Sequence, residues 1–369
     1  MSFNVIIYVV IYMRTTYMEV NIDEYKNNIN KIQKYVGNNI ALIPVIKANG
    51  YGTFVNRNDI ITNFKIVAVA LISEAIILRN SGYTGDILVI NQPSVEEIDN
   101  VIKYNITVGL SDISFTREML KKDYRFHVHI EIDTGMGRTG IRNLELVNLI
   151  KNTNIIVDGV YTHLSSADND EKFTNDQLVL FHKFVTKIKN MIPNIKYFHV
   201  SASNGILNYP NSYYNAVRVG IIMYGYESYE GAFNKIDLKP ICKLKSRITF
   251  LKEVDENTPI SYNHTFYTKR KSKVATIPIG YADGFRRELS NKGSVVIHNK
   301  LCPIIGKVCM DSIMVDVTEI DDVKINDEVY IWDNKLITVE DIANSCNTIN
   351  YEIISTISDR VPRKFIERN

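Results

Sequence analysis

The chain has 369 residues, enough for two domains, and its 45% hydrophobic and 23% charged content is that of an ordinary globular protein. With 43 Lys and Arg against 41 Asp and Glu, the net charge of +2 gives no field that points to nucleic acid or an anionic surface. Small molecules are the expected partners. The four cysteines, Cys242, Cys302, Cys309 and Cys346, form no CxxC pair and fit a reducing cytoplasm.

In chain order, residues 5–13 (VIIYVVIYM) are the one dense apolar run. The run is shorter than the roughly twenty residues a membrane helix needs and follows no basic stretch. A β-rich leader and the stub of a longer membrane-attached parent both fit, and residues 1–15 are read as an N-terminal extension. Residues 20–36 then set Ile22, Tyr25, Ile29, Ile32 and Val36 on one helical face, with Asp23 and Glu24 in the first turn.

Short β-branched runs follow at 41–47, 66–72, 86–90, 106–110, 127–133, 156–164, 197–202 and 213–219. Helix-period segments lie between them, among them 73–80, 95–104, 115–122 and 175–192. This alternation predicts an α/β fold, a (β/α)8 TIM-type barrel over residues 16–240. After Leu238-Lys239-Pro240 the pattern becomes long alternating runs with turn signals at 298–300 and 332–334, and a single short helix follows Thr338. A mostly-β C-terminal domain over residues 241–369 is expected.

In such barrels the chemistry sits where strands end and βα loops begin. Lys47 ends the first strand, the Gly135-Met136-Gly137-Arg138 turn follows the fifth, His163 ends the sixth, Ser203 follows the seventh, and Arg218 lies near the end of the eighth. Lys47 alone also reads as a snorkelling or ion-paired lysine. The small residues of 201–205 and 220–222 suit a phosphate, which these barrels bind after strands seven and eight. An amine on one side of a barrel mouth and a phosphate anchor on the other is what pyridoxal phosphate requires.

On these residues the chain resembles the alanine racemase family, whose barrel and β-domain form a homodimer with shared active sites. VIKANGYG resembles its cofactor-lysine motif, and EIDTGMGRTGI, NAVRVGIIMYG, ISYNHTFY, IPIGYADGF, GKVCMD and ISDRVPR follow in the family's order. The resemblance runs from residue 18 to 365. It implies pyridoxal 5'-phosphate as cofactor, no metal, no membrane span, and interconversion of L- and D-alanine for peptidoglycan. The chain is also similar to the racemase domains of the serine/alanine racemases of vancomycin-resistance clusters, so serine is the alternative substrate.

The resemblance further implies the roles. Lys47 would hold the cofactor and act as one acid/base, with Tyr262 of the partner subunit as the other on the opposite face. Arg218 would face the pyridine nitrogen, to which a guanidinium can only donate, and His163 would steady Arg218 or serve simply as a core histidine. Tyr51, Ser203, Gly220 and Ile221 would bind phosphate, Arg138 and the Met310 N–H the substrate carboxylate, and Tyr281 would narrow the entrance. Asp168 and Asp311 read as neighbours of the site or as solvated loop acids.

Three departures from the family pattern stand out. Glu131 replaces a lysine that the family often carboxylates, and is expected to pair with Arg138. The loop at 49–53 reads NGYGT, where the family usually has an aspartate, an alanine and a histidine. Asp359 replaces a pocket tyrosine, which would make room for serine's hydroxyl unless Asp359 only pairs with Arg360 or Arg363. Two other readings are weighed. A decarboxylase of the same plan would carry a glutamate at the pyridine nitrogen and a β-domain cysteine, which Arg218 and Tyr262 oppose. A barrel that only binds the cofactor would lack the β-domain.

Overall fold

The computed structural model describes residues 14–367, and the apolar run at 5–13 lies outside them. The described chain opens with strand β1 (Tyr17–Asn21), in which Met18 and Val20 point inward. Asn21 then caps helix α1 (Ile22–Val36) by accepting the Glu24 N–H at 2.9 Å. The helix buries Ile22, Tyr25, Asn28, Ile32 and Val36 on one face, and Gly37 ends it at φ 96°.

The barrel strands are β2 (Ala41–Pro44), β3 (Ile66–Val69), β4 (Asp86–Val89), β5 (Thr107–Leu110), β6 (His127–Glu131), β7 (Ile156–Tyr161), β8 (Tyr197–His199) and β9 (Ala216–Val219). They pair in parallel in the order β2-β9-β8-β7-β6-β5-β4-β3, and a bridge from Val45 to Ala68 joins the two ends. Every expected strand is present. Most are shorter at the C-terminal end than the sequence suggests, because there the chain leaves the sheet to form the loops that carry the site.

Inside the barrel one side is apolar, with Ile43, Val45, Ile66, Ala68, Leu88 and Ala216 packed together. The other side holds buried His129, Glu131, His199 and Arg218. A methyl at Gly159 would lie 2.4 Å from His129 Nδ1, so β7 needs a glycine opposite that ring. The barrel is therefore hydrophobic beneath the lysine and polar beneath the arginine.

The C-terminal part is mostly β. One sheet orders its strands Lys300–Pro303, Ser294–Ile297, Glu328–Trp332, Cys242–Arg247, β1 and Arg363–Ile366. A three-stranded sheet contains Phe250–Val254, Ser272–Ile277 and Ile313–Asp316, and a small hairpin pairs Pro259–Ile260 with Phe266–Tyr267. One assignment changes. Residues 17–21, expected at the start of the barrel, form a strand between Cys242–Arg247 and Arg363–Ile366 and so belong to the C-terminal sheet. Among the described residues no helix is long and apolar enough to cross a membrane.

Candidate active site

Lys47 follows β2 and opens a left-handed turn: Ala48, Asn49, Gly50, Tyr51 and Gly52 have φ of 52°, 51°, 62°, 55° and 77°. Each residue with a Cβ costs about 1–2 kcal/mol in this conformation, so the turn must be held from outside. Glu74 holds it, accepting the Ala48 N–H at 2.5 Å with one oxygen and the Ala70 and Leu71 N–H groups at 2.8 and 3.0 Å with the other. Inside the turn, Gly52 N–H reaches Ala48 O at 2.7 Å and Phe54 N–H reaches Asn49 O at 2.7 Å. Burial pushes the Lys47 amine below its usual pKa, helped by Arg138 and Arg218 and opposed by Glu74. A larger neutral fraction makes it a better nucleophile and base.

Arg218 is buried on β9. Its Nη1 donates to His199 Nδ1 and His199 O, both at 3.0 Å. Its Nη2 donates to Thr162 O at 2.8 Å and to His163 Nδ1 and Val200 O at 3.0 Å. Because guanidinium cannot accept, both imidazoles present a bare Nδ1 and carry their proton on Nε2. His199 Nε2 therefore donates to His129 Nδ1 at 2.8 Å, and the His129 Nε2 beyond it is buried with no protein partner. Burial, then Arg218, pushes His163 down to about 3, and burial alone dominates for His129, also at about 3. These histidines are neutral. The Tyr161 ring stacks on His199 at 5.0 Å and 4°.

Lys47 and Arg218 line one cavity of about 400 Å³ together with Tyr51, Arg138, His163, Ser203, Gly220 and Ile221. At one end, a methyl built on Gly220 would sit 3.0 Å from Tyr51 Oη and 3.7 Å from Ser203 Oγ. Two hydroxyls thus converge over a residue without a side chain, next to the free N–H groups that open the turn Ile221–Tyr224. Burial pushes the Tyr51 phenol up to about 12, which keeps it a neutral donor. An anion cradle, an amine and a buried arginine on one cavity fit pyridoxal phosphate.

The turn after β6 is built by Asp133, whose Oδ1 accepts the Gly135 and Gly137 N–H groups at 3.0 Å each and so places Arg138 at the cavity. Glu131 does not make the expected direct ion pair with Arg138 and feels its charge only from a distance. Glu131 points from β6 into the barrel, only 4% exposed, beside Tyr161 and Thr139, and burial raises its carboxyl. Asp359 also departs from expectation. It does not line this cavity but a separate concavity with Asn49, Phe54 and Arg57. It makes no direct ion pair with Arg360 or Arg363, although its charge acts on Arg363, and the ring facing the cavity from the C-terminal part is that of Tyr351. The premise of extra room for a serine hydroxyl is therefore absent.

Tyr262, Tyr281 and Met310 are not in this cavity. They are 64%, 42% and 52% exposed, on neighbouring loops of the C-terminal part. Tyr262 sits in the turn of the small hairpin, where Ser261, Asn263 and His264 take φ of 65°, 60° and 49°. Ser261 Oγ donates to Lys307 O at 2.7 Å, which ties this turn to the Met310 loop. Among the described residues no cluster of His, Cys, Asp or Glu could hold a metal ion. Sequence reasoning missed Tyr351, Tyr161, Glu74 and His199. For His199 the signal was there, since it shares its inward face of β8 with Tyr197.

The profile "Alanine racemase, N-terminal domain" matches residues 20–228, and "Alanine racemase, C-terminal domain" matches 241–365. The alanine racemase of Halothermothrix orenii is 38% identical over 95% of this chain and 97% of its own. That of Clostridium perfringens is 38% identical over 97% of both chains. The solved alanine racemase of Clostridium difficile superposes with a TM-score of 0.91 at 32% identity, covering 96% of both chains. That of Bacillus anthracis, with bound L-Ala-P, gives 0.90 at 31%, covering 96% of this chain and 95% of the other. The chain belongs to the alanine racemase family.

Proposed function

We propose that this chain is a pyridoxal-phosphate-dependent racemase that interconverts L- and D-alanine. The observation that carries the reading is one cavity lined at once by Lys47, the Tyr51–Ser203–Gly220 cradle and Arg218. When bound, the cofactor withdraws electrons from the substrate α-carbon and so acidifies its proton. Lys47, with its lowered pKa, takes or returns that proton on one face. The other face needs a second base. Tyr262, exposed and displayed on a strained turn, fills that need as Tyr262 of the partner subunit, so the working unit is a homodimer.

Arg138 and the N–H of Met310 of the partner subunit receive the substrate carboxylate, and Tyr281 of the partner subunit narrows the mouth. Arg218, steadied by His199 and His163, is the residue that would donate to the pyridine nitrogen, and since a guanidinium cannot accept, it would leave that nitrogen without a proton. His163 therefore acts by orienting Arg218. Tyr51, Ser203, Gly220 and Ile221 would hold the cofactor's phosphate. The four free cysteines, two of them buried, are in keeping with a cytoplasmic site of action. D-Alanine for peptidoglycan would be the product.

Chiral chromatography of L-alanine incubated with the protein and pyridoxal phosphate tests the reading. D-Alanine is expected. Lys47→Ala and Tyr262→Phe should each lose turnover by at least about a thousandfold. A mixture of the two should recover it, because one site of each mixed dimer holds both bases. No D-alanine from the wild type would overturn the proposal.

A further inference from the structure

Residues 357–363 cross between the cavity and the C-terminal part. At one end, Arg363 donates to Gly52 O at 2.8 Å, next to the lysine turn, and to Ile357 O, Ser358 O and Val361 O. At the other, Ser358 N–H reaches Asp283 O and Ser358 Oγ reaches Ala282 O, both at 3.0 Å. Arg360 stands in the middle. Its Nη2 meets Asp311 Oδ1 at 2.6 Å, and its Nε lies 3.5 Å from Asp283 Oδ1. Asp311 follows Met310, and Asp283 lies two residues beyond Tyr281. The two loops are also cross-bonded, Tyr281 N–H to Cys309 O at 3.1 Å and Ala282 N–H to Met310 O at 3.0 Å.

We infer that Arg360 is a positioning residue for substrate: by bridging Asp283 and Asp311 it fixes Met310 and Tyr281 relative to each other. The inference rests on the racemase reading above, in which these loops complete the site that holds the partner's Lys47. A merely structural role fits the geometry less well. Arg360 is half exposed, and exposed ion pairs add little stability. Asp283 is fully buried: its Oδ2 meets Arg14 Nη2 at 2.7 Å and accepts the Gly280 N–H at 3.0 Å, while its Oδ1 accepts no hydrogen bond and faces Arg360, which is thus a second counter-charge and not the only one. What Arg360 adds is the span between two carboxylates on two loops. A guanidinium fork can make that span, and a lysine's point charge cannot.

The test compares wild type, Arg360→Met and Arg360→Lys by steady-state racemisation of L-alanine and by thermal melting. Arg360→Met is expected to raise KM about tenfold with kcat within about threefold and the melting temperature little changed, because only positioning of the carboxylate is lost. Arg360→Lys should restore KM only in part. Dimers of one Arg360→Met chain and one Lys47→Ala chain, purified by two affinity tags, decide where the residue acts. Their one complete site takes its Met310 and Tyr281 loops from the Lys47→Ala chain, so KM should return to the wild-type value. An unchanged KM in Arg360→Met, or a KM that stays raised in the mixed dimer, would overturn the inference. A wild type without alanine turnover would instead overturn the racemase reading, and this inference with it.

Discussion

At the scale of single residues, the polar half of the barrel is governed by proton placement. His129, His163 and His199 are buried, and burial together with Arg218 keeps each imidazole neutral, His129 and His163 down to about 3. In the unfolded chain each titrates near its ordinary 6.5. Below that pH the unfolded chain binds protons that the folded chain refuses. The stability these groups allow is therefore complete above pH 6.5 and is lost progressively as pH falls toward 3, at about 1.4 kcal/mol per pH unit for each histidine. Urea midpoints should drop between pH 7 and pH 5.5, and His199→Asn, which can still accept from Arg218, should flatten that slope by about one proton. A midpoint that ignores pH in this range would refute the assignment. Lys47, Arg218 and Ser203 were legible in the sequence because each stands where a strand ends. His129 was not, since its partner His199 lies on a different strand, 70 residues away in the chain.

At the scale of elements, the lysine turn decides whether the site exists. Gly50 and Gly52 signalled backbone freedom in the sequence, but not a run of left-handed residues, because Ala48 and Tyr51 avoid that conformation unless their surroundings impose it. Gly52 is where the turn meets the C-terminal helix Asn350–Ser355: at φ 77°, an added methyl would lie 2.3 Å from Ile354 O. Gly37 is the control. Its φ is 96°, yet nothing lies within 4 Å of an added methyl. At ψ 148° Gly37 sits in the extended positive-φ region that glycine almost alone adopts, so Gly37→Ala should cost about 1–3 kcal/mol of backbone strain alone. Gly52→Ala should cost roughly 2 kcal/mol more, because the clashing atom is backbone and cannot move aside. It should also lose cofactor absorbance, since Lys47 moves with the turn. Thermal denaturation of the two variants measures the difference, and equal losses would mean that the turn is not braced by that helix. Asp359 was misread for the same reason: a position before RVPR is local, whereas its outward direction is set by the packing of residues 350–363 against this turn.

At the scale of the whole molecule, the alternation of strands and helices made the barrel legible, and the change of texture after Pro240 revealed the β-domain. Nothing in the sequence of β1 announced its partners, because a five-residue strand carries too little pattern to show that it pairs with residues more than two hundred positions away. That pairing makes the two parts interdependent. Strand β1 lies in the C-terminal sheet and runs directly into α1, whose Asn28 donates to Met223 O at 3.3 Å and to Lys239 O at 2.8 Å, close to the barrel's last strand. Met18 on β1 is fully buried, so Met18→Ala should remove about 2–5 kcal/mol. Since β1 and α1 are continuous, weakening the sheet should release the helix that covers the barrel end. Calorimetry should show one endotherm shifted as a whole, with the intensity of barrel and β-domain unfolding together. Two endotherms, one of them at the wild-type temperature, would show that the barrel stands without β1 and that the coupling drawn here is absent.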